Sequence, residues 1–275
     1  MINYSFIEVQ GIKIAYLEKN RTADKIIFFI HGNSISKRSW RKQYNSDLFS
    51  AYHLIVIDLP GHGNSGIAEN PEEVYNLIGL ASIMHGAVEQ LSRNKPYLLA
   101  GLSLSTNIVA EMLAFSTKAS GLVLAGSCIV GKNYPLQSFV KAGTHVGVVF
   151  SNDAPLSEVL LYAKETSLTT NQEDIDIFLE DYKATDKIFR GTLAVSVAAE
   201  KYSDEVELLQ QSNIKSLVVF GKDEKIVEPG YLDNAPLNLW RGEVFKIEDA
   251  GHLVNIDQPE AFNQLLKVFA DEIFH

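Results

Sequence analysis

The sequence predicts an α/β fold in which a mostly parallel sheet of about eight strands carries helices on both faces, together with a helical cap. Short apolar runs alternate with helical patterns along most of the chain, which is typical of strands that pair in parallel. The runs 25–30 and 216–221 are almost entirely apolar, as expected for strands buried on both faces. The alternation is interrupted once, between about 130 and 212, where only helical patterns occur.

The expected elements can be placed along the chain from these patterns. Gln10-Gly11 separates the first two strands in a hairpin-like arrangement. The expected strands are 4–9, 12–17, 25–30, 53–58, 96–101, 121–126, 216–221 and 243–247. Outside the interruption, helices are expected at 73–91, 104–116, 229–235 and 259–273.

The interruption predicts how the chain is divided. Residues 1–129 and 213–275 are expected to form the core, and 130–212 a cap inserted between the sixth and seventh strands. The cap helices are expected at 136–149, 156–166, 172–183 and 185–201. No Pro/Ser-rich linker flanks this segment, so we expect the cap to pack on the core.

The composition argues against several classes of protein. Of the 275 residues, 46% are hydrophobic, as in a globular protein with a large core. The formal net charge is −10 and the acidic residues are dispersed, so no nucleic-acid partner is expected. No run is long and apolar enough to span a membrane, and the N-terminus lacks the pattern of a signal peptide. The single Cys128 cannot form an internal disulfide, and the expected location is the cytoplasm.

Chemically active residues follow four of the expected strands. In an open parallel sheet, ligands bind at the carboxyl ends of the strands, so these residues are expected to meet at one edge. They are the HGNS segment at 31–34, Ser103, the neighbours Asp223 and Glu224, and His252. A serine, an acid and a histidine in this order predict a nucleophile, an orienting carboxylate and a general base.

The segment GLSLS at 101–105 is expected to form a tight turn from a strand into a helix. Such a turn projects the Ser103 hydroxyl above the sheet, and the helix that begins at Leu104 offers a backbone N–H to a developing oxyanion. Ser105 occupies the position where the G-x-S-x-G pattern has glycine, and its small side chain is compatible with the turn.

Several blocks of the sequence resemble the α/β-hydrolase superfamily over nearly the whole chain. These blocks are HGNS, DLPGHGNS, GLSLS, FGKDEKIV and DAGHLVNIDQPEAF. More narrowly, HGNS, DLPGHGNS, GKDEKIVE, NLWRG and DAGH are similar to the α/β-hydrolase type of N-acyl homoserine lactonase, which uses a Ser-Glu-His triad and no metal. Ser105 departs from the glycine of these enzymes, and the cap sequence is less alike.

The resemblance implies a role for each triad residue. Ser103 attacks the carbonyl, His252 acts as general base, and Glu224 orients His252. The neighbouring Asp223 is the alternative acid, because both carboxylates follow the same strand. Counting from Gly221, the related pattern G-x-x-D-x-x-V places the acid at Glu224.

Four further residues are expected to line the site. The backbone N–H groups of Asn33 and Leu104 form the oxyanion hole that this fold implies. Ser34, in the same HGNS segment as Asn33, is expected to contact substrate. Tyr162 is similar in position to a cap tyrosine of the lactonases, whose phenol reaches the substrate, although a packing role is equally compatible with the sequence.

No cofactor or metal is expected. Residues 61–66 match G-x-G-x-x-G, but Leu59 and Pro60 separate them from the strand and no helix follows directly. Residues 126–132 match part of a P-loop, but Asn133 replaces the Ser or Thr that binds Mg²⁺. The histidines do not form a zinc-binding motif.

The predicted function is that of a serine hydrolase whose partner is a small-molecule ester or lactone, with an N-acyl homoserine lactone favoured. A small-molecule carboxylesterase and a C–C bond hydrolase are the alternatives within the superfamily. A receptor that binds a small molecule without turnover is the alternative of another class. No oligomeric state is predicted.

Overall fold

The computed structural model describes residues 4–115 and 117–275. The described residues form one sheet of eight strands. In chain order these strands are β1 Ser5–Val9, β2 Ile12–Lys19, β3 Ile26–Ile30, β4 His53–Ile57, β5 Tyr97–Leu102, β6 Gly121–Ala125, β7 Ser216–Gly221 and β8 Phe245–Ile247. The predicted order of the strands is therefore confirmed, and their ends differ from the prediction by at most two residues.

The sheet is mostly parallel and has the order β1-β2-β4-β3-β5-β6-β7-β8. Strand β2 pairs antiparallel with β1 on one side and with β4 on the other, while the pairs from β4 to β8 are parallel. The central strands β3, β4, β5, β6 and β7 are buried along their whole length, which explains why their sequences show no polar alternation. Their carboxyl ends lie at one edge of the sheet, where the predicted site residues follow.

The helices cover the sheet and supply the rest of the core. They are α1 Arg41–Tyr44, α2 Pro71–Val74, α3 Leu77–Ser92, α4 Leu104–Met112, α5 Leu156–Thr166, α6 Gln172–Ala184, α7 Phe189–Ala198, α8 Glu205–Ser212, α9 Val254–Asp257 and α10 Pro259–Ile273. Helices α3, α4 and α8 form one packed group, and α1, α9 and α10 form another. Among the described residues, no helix is both long and apolar enough to cross a membrane.

The segment between β6 and β7 is helical, but its first part differs from the prediction. Instead of one helix over 136–149, the structure has two short 3-10 helices, Leu136–Ser138 and Val146–Phe150. Between them Val140 forms an isolated bridge with Val227 of the core, and Gly143 adopts a positive φ of 81°. A helix is interrupted here because a glycine turn and a contact with a distant segment replace its local hydrogen bonds.

Two other helix predictions are corrected. Residues 229–235 form consecutive turns rather than a helix, because Pro229 and Pro236 and the intervening Gly230 favour turns. The predicted helix 104–116 ends at Met112 and continues as a 3-10 turn over Leu113–Phe115, while residue 116 lies outside the described residues. The expected helix 185–201 begins later and is followed by the separate α8.

Candidate active site

Ser103 lies at the tight turn between β5 and α4. Its backbone has φ 53° and ψ −121°, a conformation that non-glycine residues rarely adopt and that stores strain. Gly101 makes the turn compact, since a Cβ at this position would lie 2.4 Å from the carbonyl oxygen of Ser105. The turn therefore holds the Ser103 side chain at the edge of the sheet, at the start of α4.

Ser103, His252 and Glu224 form a hydrogen-bonded chain. The Ser103 Oγ lies 2.8 Å from His252 Nε2, and His252 Nδ1 lies 2.7 Å from Glu224 Oε2. A carboxylate can only accept, so Nδ1 carries the proton and Nε2 is left to accept from the serine hydroxyl. This is the arrangement in which a histidine can withdraw the proton of a serine nucleophile.

Glu224, and not Asp223, is the acid that reaches His252. The second oxygen of Glu224, Oε1, accepts the backbone N–H groups of Ile226 at 2.7 Å and Val227 at 3.3 Å. Glu224 is buried, whereas Asp223 is exposed. The loop after β7 thus turns the two neighbouring carboxylates in different directions, and both oxygens of Glu224 are occupied.

The charge of Glu224 also controls the pKa of His252. Burial lowers this pKa, but the Glu224 carboxylate and the adjacent Cys128 thiol act in the opposite direction, and the pKa is raised overall. Gly126 allows the close approach of the imidazole, because a Cβ there would lie 2.6 Å from the His252 carbonyl oxygen and 3.2 Å from Nδ1. The imidazolium that forms during proton transfer is therefore stabilised by its surroundings.

Ser105 faces away from the candidate nucleophile. It is buried, and its hydroxyl donates to the backbone carbonyl of His31 at the end of β3. The serine that replaces the usual glycine thus ties the first turn of α4 to the neighbouring strand and leaves Ser103 unobstructed.

Two backbone N–H groups next to Ser103 are available to an oxyanion. Leu104 is the first residue of α4, so its N–H has no partner within the helix. Neither this N–H nor that of Asn33 donates to an acceptor within residues 4–115 and 117–275. The side chain of Asn33 is occupied, because Nδ2 donates to the Val149 carbonyl at 2.8 Å and Oδ1 accepts from Ser34. The backbone of Asn33, rather than its side chain, is the group that can meet a reacting oxygen.

Two buried histidines hold the Asn33 loop in place. His62 Nε2 accepts the backbone N–H of Ser34 at 3.1 Å, and His31 Nε2 accepts that of Leu59 at 3.0 Å. The Nδ1 atoms of both histidines contact backbone carbonyls, Pro60 O and Gly32 O, and therefore carry the protons. Burial lowers the pKa of each histidine to about 3, so both are neutral and serve as structural acceptors.

The expectation that Ser34 contacts substrate is corrected. Ser34 is completely buried and does not line the cavity beside Ser103. Its hydroxyl donates to Asn33 Oδ1 at 2.8 Å and accepts from Arg190 Nε at 2.8 Å. Ser34 therefore positions the Asn33 loop, because its hydroxyl is already used by these two neighbours.

A cavity of about 480 Å³ opens beside Ser103 and His252. Its walls are mainly apolar and come from both the core and the segment between β6 and β7. The apolar lining includes Leu77, Val130, Leu136, Val140, Val146, Val149, Phe150, Val197, Ile226 and Val227. Tyr162 also lines the cavity, and no described residue hydrogen-bonds its hydroxyl. The volume falls in the range of small-molecule sites.

Sequence reasoning missed several polar residues of this cavity. Asn107, Cys128 and Lys141 line it, and Lys141 Nζ donates to the Glu224 carbonyl oxygen at 2.8 Å. Asn107 could have been recognised from its position four residues after Ser103 in an otherwise mostly apolar helix. Lys141 carries no such signal, because it enters the cavity through the unpredicted turn near Gly143.

The described part of the chain contains no group of three or more His, Cys, Asp or Glu side chains placed to hold a metal ion.

A family model described as the alpha/beta hydrolase family matches residues 27–265. The chain belongs to the alpha/beta hydrolase family. Together with the sheet order, this membership confirms the fold class and the superfamily predicted from the sequence blocks.

Several relatives of this alpha/beta hydrolase are hydrolases with diverse substrates. A crystal structure of a mutant of the N-acyl homoserine lactonase AidH complexed with N-hexanoyl homoserine lactone is similar, with a TM-score of 0.89 and 25% identity over 99% of this chain and 98% of the other. Monoacylglycerol lipase ABHD6 of Rattus norvegicus is 22% identical over 96% of this chain and 81% of its own length. A 2-hydroxy-6-oxononadienedioate/2-hydroxy-6-oxononatrienedioate hydrolase of Klebsiella pneumoniae is 22% identical over 88% of this chain and 86% of its own length. The protein is thus a hydrolase of the α/β class.

Proposed function

We propose that this protein is a serine hydrolase that opens an N-acyl homoserine lactone through an acyl-enzyme. The observation that carries the proposal is the hydrogen-bonded chain Ser103, His252 and Glu224, which ends in a largely apolar cavity. The backbone N–H groups of Asn33 and Leu104, which have no acceptor among the described residues, flank the same serine. Nucleophile, base, orienting acid and oxyanion donors are the parts that acyl transfer to serine requires.

In the first step Ser103 Oγ attacks the lactone carbonyl while His252 Nε2 takes the hydroxyl proton. Glu224 stabilises the resulting imidazolium through the 2.7 Å contact with Nδ1. The carbonyl oxygen becomes an oxyanion, and the N–H groups of Asn33 and Leu104 donate to it. These donors are held by β3 and α4 before substrate binds, so little reorganisation is needed in the transition state.

In the second step the ring C–O bond breaks, and the leaving oxygen receives the proton from His252. The product of this step is an ester between Ser103 and the opened N-acyl homoserine. Water then attacks this ester with His252 again acting as base, which releases N-acyl homoserine and restores the Ser103 hydroxyl. Apart from the substrate and water, the steps use only residues already described.

The cavity supports an acylated lactone as the substrate. Its apolar walls are suited to an acyl chain, and the free hydroxyl of Tyr162 is suited to a carbonyl oxygen of the polar head. The similar lactonase holds N-hexanoyl homoserine lactone in its crystal structure, which supports the same substrate class for this chain.

We further propose that residues 130–212 act as the cap over this cavity. The cap contributes Val146, Tyr162 and Val197 to the lining, while the core contributes the triad. A cap of this kind determines which substrates reach Ser103, because more than half of the residues that line the cavity belong to 130–212.

A panel of substrates tests the proposed function. N-acyl homoserine lactones with different acyl lengths and phenyl esters of the same acids are compared at one enzyme concentration, with acid release as the measurement. We expect the lactones to have the higher kcat/KM, and we expect prolonged EDTA treatment to leave the rates unchanged. Turnover of the phenyl esters alone would indicate a carboxylesterase. Binding of a lactone without turnover would indicate a receptor.

A further inference from the structure

Asn107 is a buried polar residue of the cavity that the mechanism above does not use. It lies four residues after Ser103, on the same face of α4, where side chains at this spacing are neighbours. Asn107 is only 5% exposed, yet it lines the cavity together with Ser103 and His252. A polar side chain in this position stands next to any substrate group attached close to the reacting carbonyl.

The orientation of the Asn107 amide is fixed by its partners. Nδ2 donates to the Cys128 carbonyl oxygen at 2.7 Å and to Glu205 Oε2 at 2.8 Å. A backbone carbonyl can only accept, and Glu205 Oε2 already accepts the backbone N–H of Val130 at 2.8 Å. If the amide were turned by 180°, its oxygen would face the Cys128 carbonyl and Glu205 Oε2, which are both acceptors. The NH₂ group must therefore be the end that faces Cys128 and Glu205.

The other end of the amide is free. Both hydrogens of Nδ2 are used, whereas Oδ1 accepts no hydrogen bond from the described residues. Because Asn107 lines the cavity and its NH₂ points into the protein, Oδ1 is the atom presented to a ligand. An acceptor held in a mainly apolar cavity favours a ligand that supplies a donor and disfavours one that does not.

We propose that Asn107 Oδ1 selects substrates that carry an N–H donor on the carbon next to the scissile carbonyl. This inference rests on the proposed function, in which that donor is the amide N–H of the acyl homoserine lactone. An amide nitrogen in this position is two bonds from the carbonyl that Ser103 attacks. It is therefore within reach of a side chain one helical turn further along α4.

Asn107 and Tyr162 divide the recognition of the acylamino group between them. The Asn107 oxygen can only accept, so it takes the N–H, whereas the Tyr162 hydroxyl can donate to the acyl carbonyl. The two residues come from different parts of the chain, Asn107 from the core and Tyr162 from the segment between β6 and β7. An N-acylamino group matches both residues at once, and a plain ester matches neither.

A pair of matched substrates tests this proposal in the wild-type enzyme. The first is N-hexanoyl homoserine lactone, and the second is its analogue in which CH₂ replaces the amide N–H, so that the lactone and the acyl carbonyl are retained. We expect kcat/KM for ring opening to be about 10-fold or more higher for the amide. Equal values for the two substrates would overturn the proposal.

Variants of Asn107 assign the preference to this residue. In Asn107→Leu, which has a similar volume and no acceptor, we expect the ratio between the two substrates to fall to about 2-fold or less. Both substitutions remove the donor to Glu205 and the Cys128 carbonyl. Asn107→Ala is the second variant, because its smaller side chain leaves space for a water molecule at these acceptors, and thermal unfolding shows which variant is folded. A ratio that stays at its wild-type value in a folded variant would overturn the proposal.

A second pair separates this proposal from the lactonase assignment. The phenyl ester of N-acetylglycine carries the donor on the carbon next to the ester carbonyl, and phenyl 4-oxopentanoate has CH₂ in its place. If neither lactone is opened, the lactonase proposal fails, but we still expect Asn107 to give about 10-fold preference for the N-acetylglycine ester. Equal hydrolysis of both phenyl esters would overturn the role of Asn107.

Discussion

Replacing Glu224 with glutamine should disable the triad while leaving the size of the side chain nearly unchanged. Ile226 and Val227 donate to Oε1, so the carbonyl oxygen of a glutamine is held in that position. The glutamine NH₂ then occupies the place of Oε2, 2.7 Å from His252 Nδ1, where a donor would face a donor. The imidazole must shift its proton to Nε2, and that nitrogen can no longer accept the proton of Ser103. We expect kcat to fall by about 10²- to 10⁴-fold.

Asp223→Asn is the matched control, because it removes a neighbouring charge that is exposed. We expect it to lower kcat by less than about 10-fold. The assay is initial-rate hydrolysis of one lactone and one phenyl ester, with thermal unfolding to show that both variants are folded. The pH dependence of activity is a second measurement. Wild-type activity should rise as the pH passes the raised pKa of His252. In Glu224→Gln this rise should occur at lower pH, because the carboxylate that raises the pKa is absent. A larger loss in Asp223→Asn than in Glu224→Gln would refute the assignment of the acid.

Three further predictions concern stability and the cap. Burial lowers the pKa of His62 to about 3 from about 6.5 in the unfolded chain, so the unfolded state binds more protons between these values and stability falls as pH drops through this window. Between pH 7 and pH 5, His62 alone lowers the free energy of unfolding of the wild type by about 2 kcal/mol. Urea unfolding should therefore show that His62→Gln loses about 2 kcal/mol less of this free energy than the wild type over the same pH change. Ser105→Ala removes the hydrogen bond to His31 and should cost about 1 kcal/mol of stability while activity remains within about 3-fold, so loss of activity in the folded variant would contradict the structural role. Tyr162→Phe should reduce kcat/KM for a lactone by about 5- to 30-fold and barely change that for a small phenyl ester, whereas equal effects would assign Tyr162 to packing.

The strands and the catalytic order could be predicted because they depend on local sequence. Each central strand is a short apolar run. Ser103 directly follows β5, while Glu224 comes three residues after the end of β7 and His252 five residues after the end of β8. The pattern of the related enzymes, counted from Gly221, favours Glu224 and leaves Asp223 as the alternative, and the structure brings Glu224 to His252. Local patterns were sufficient here because the carboxyl ends of parallel strands lie at the same edge of the sheet, regardless of the segments that connect the strands.

The cap and the cavity lining could be predicted less well because they depend on contacts between distant segments. The turn near Gly143 forms where Val140 pairs with Val227, and no local periodicity signals that pairing. Ser34 looked like a site residue by its position in HGNS, but its hydroxyl is taken by Arg190, which lies far along the chain. The polarity of a cavity wall likewise depends on which distant side chains occupy its neighbours.

The most direct test of the central claim is the turnover of Ser103→Ala. If Ser103 is the nucleophile of an acyl-enzyme mechanism, the folded variant should lose about 10⁴-fold or more in kcat on whichever lactone or ester the wild type hydrolyses best. The strained turn is retained in this variant, so unfolding should occur at nearly the wild-type temperature. Turnover by folded Ser103→Ala within about 10-fold of the wild-type rate would contradict the mechanism.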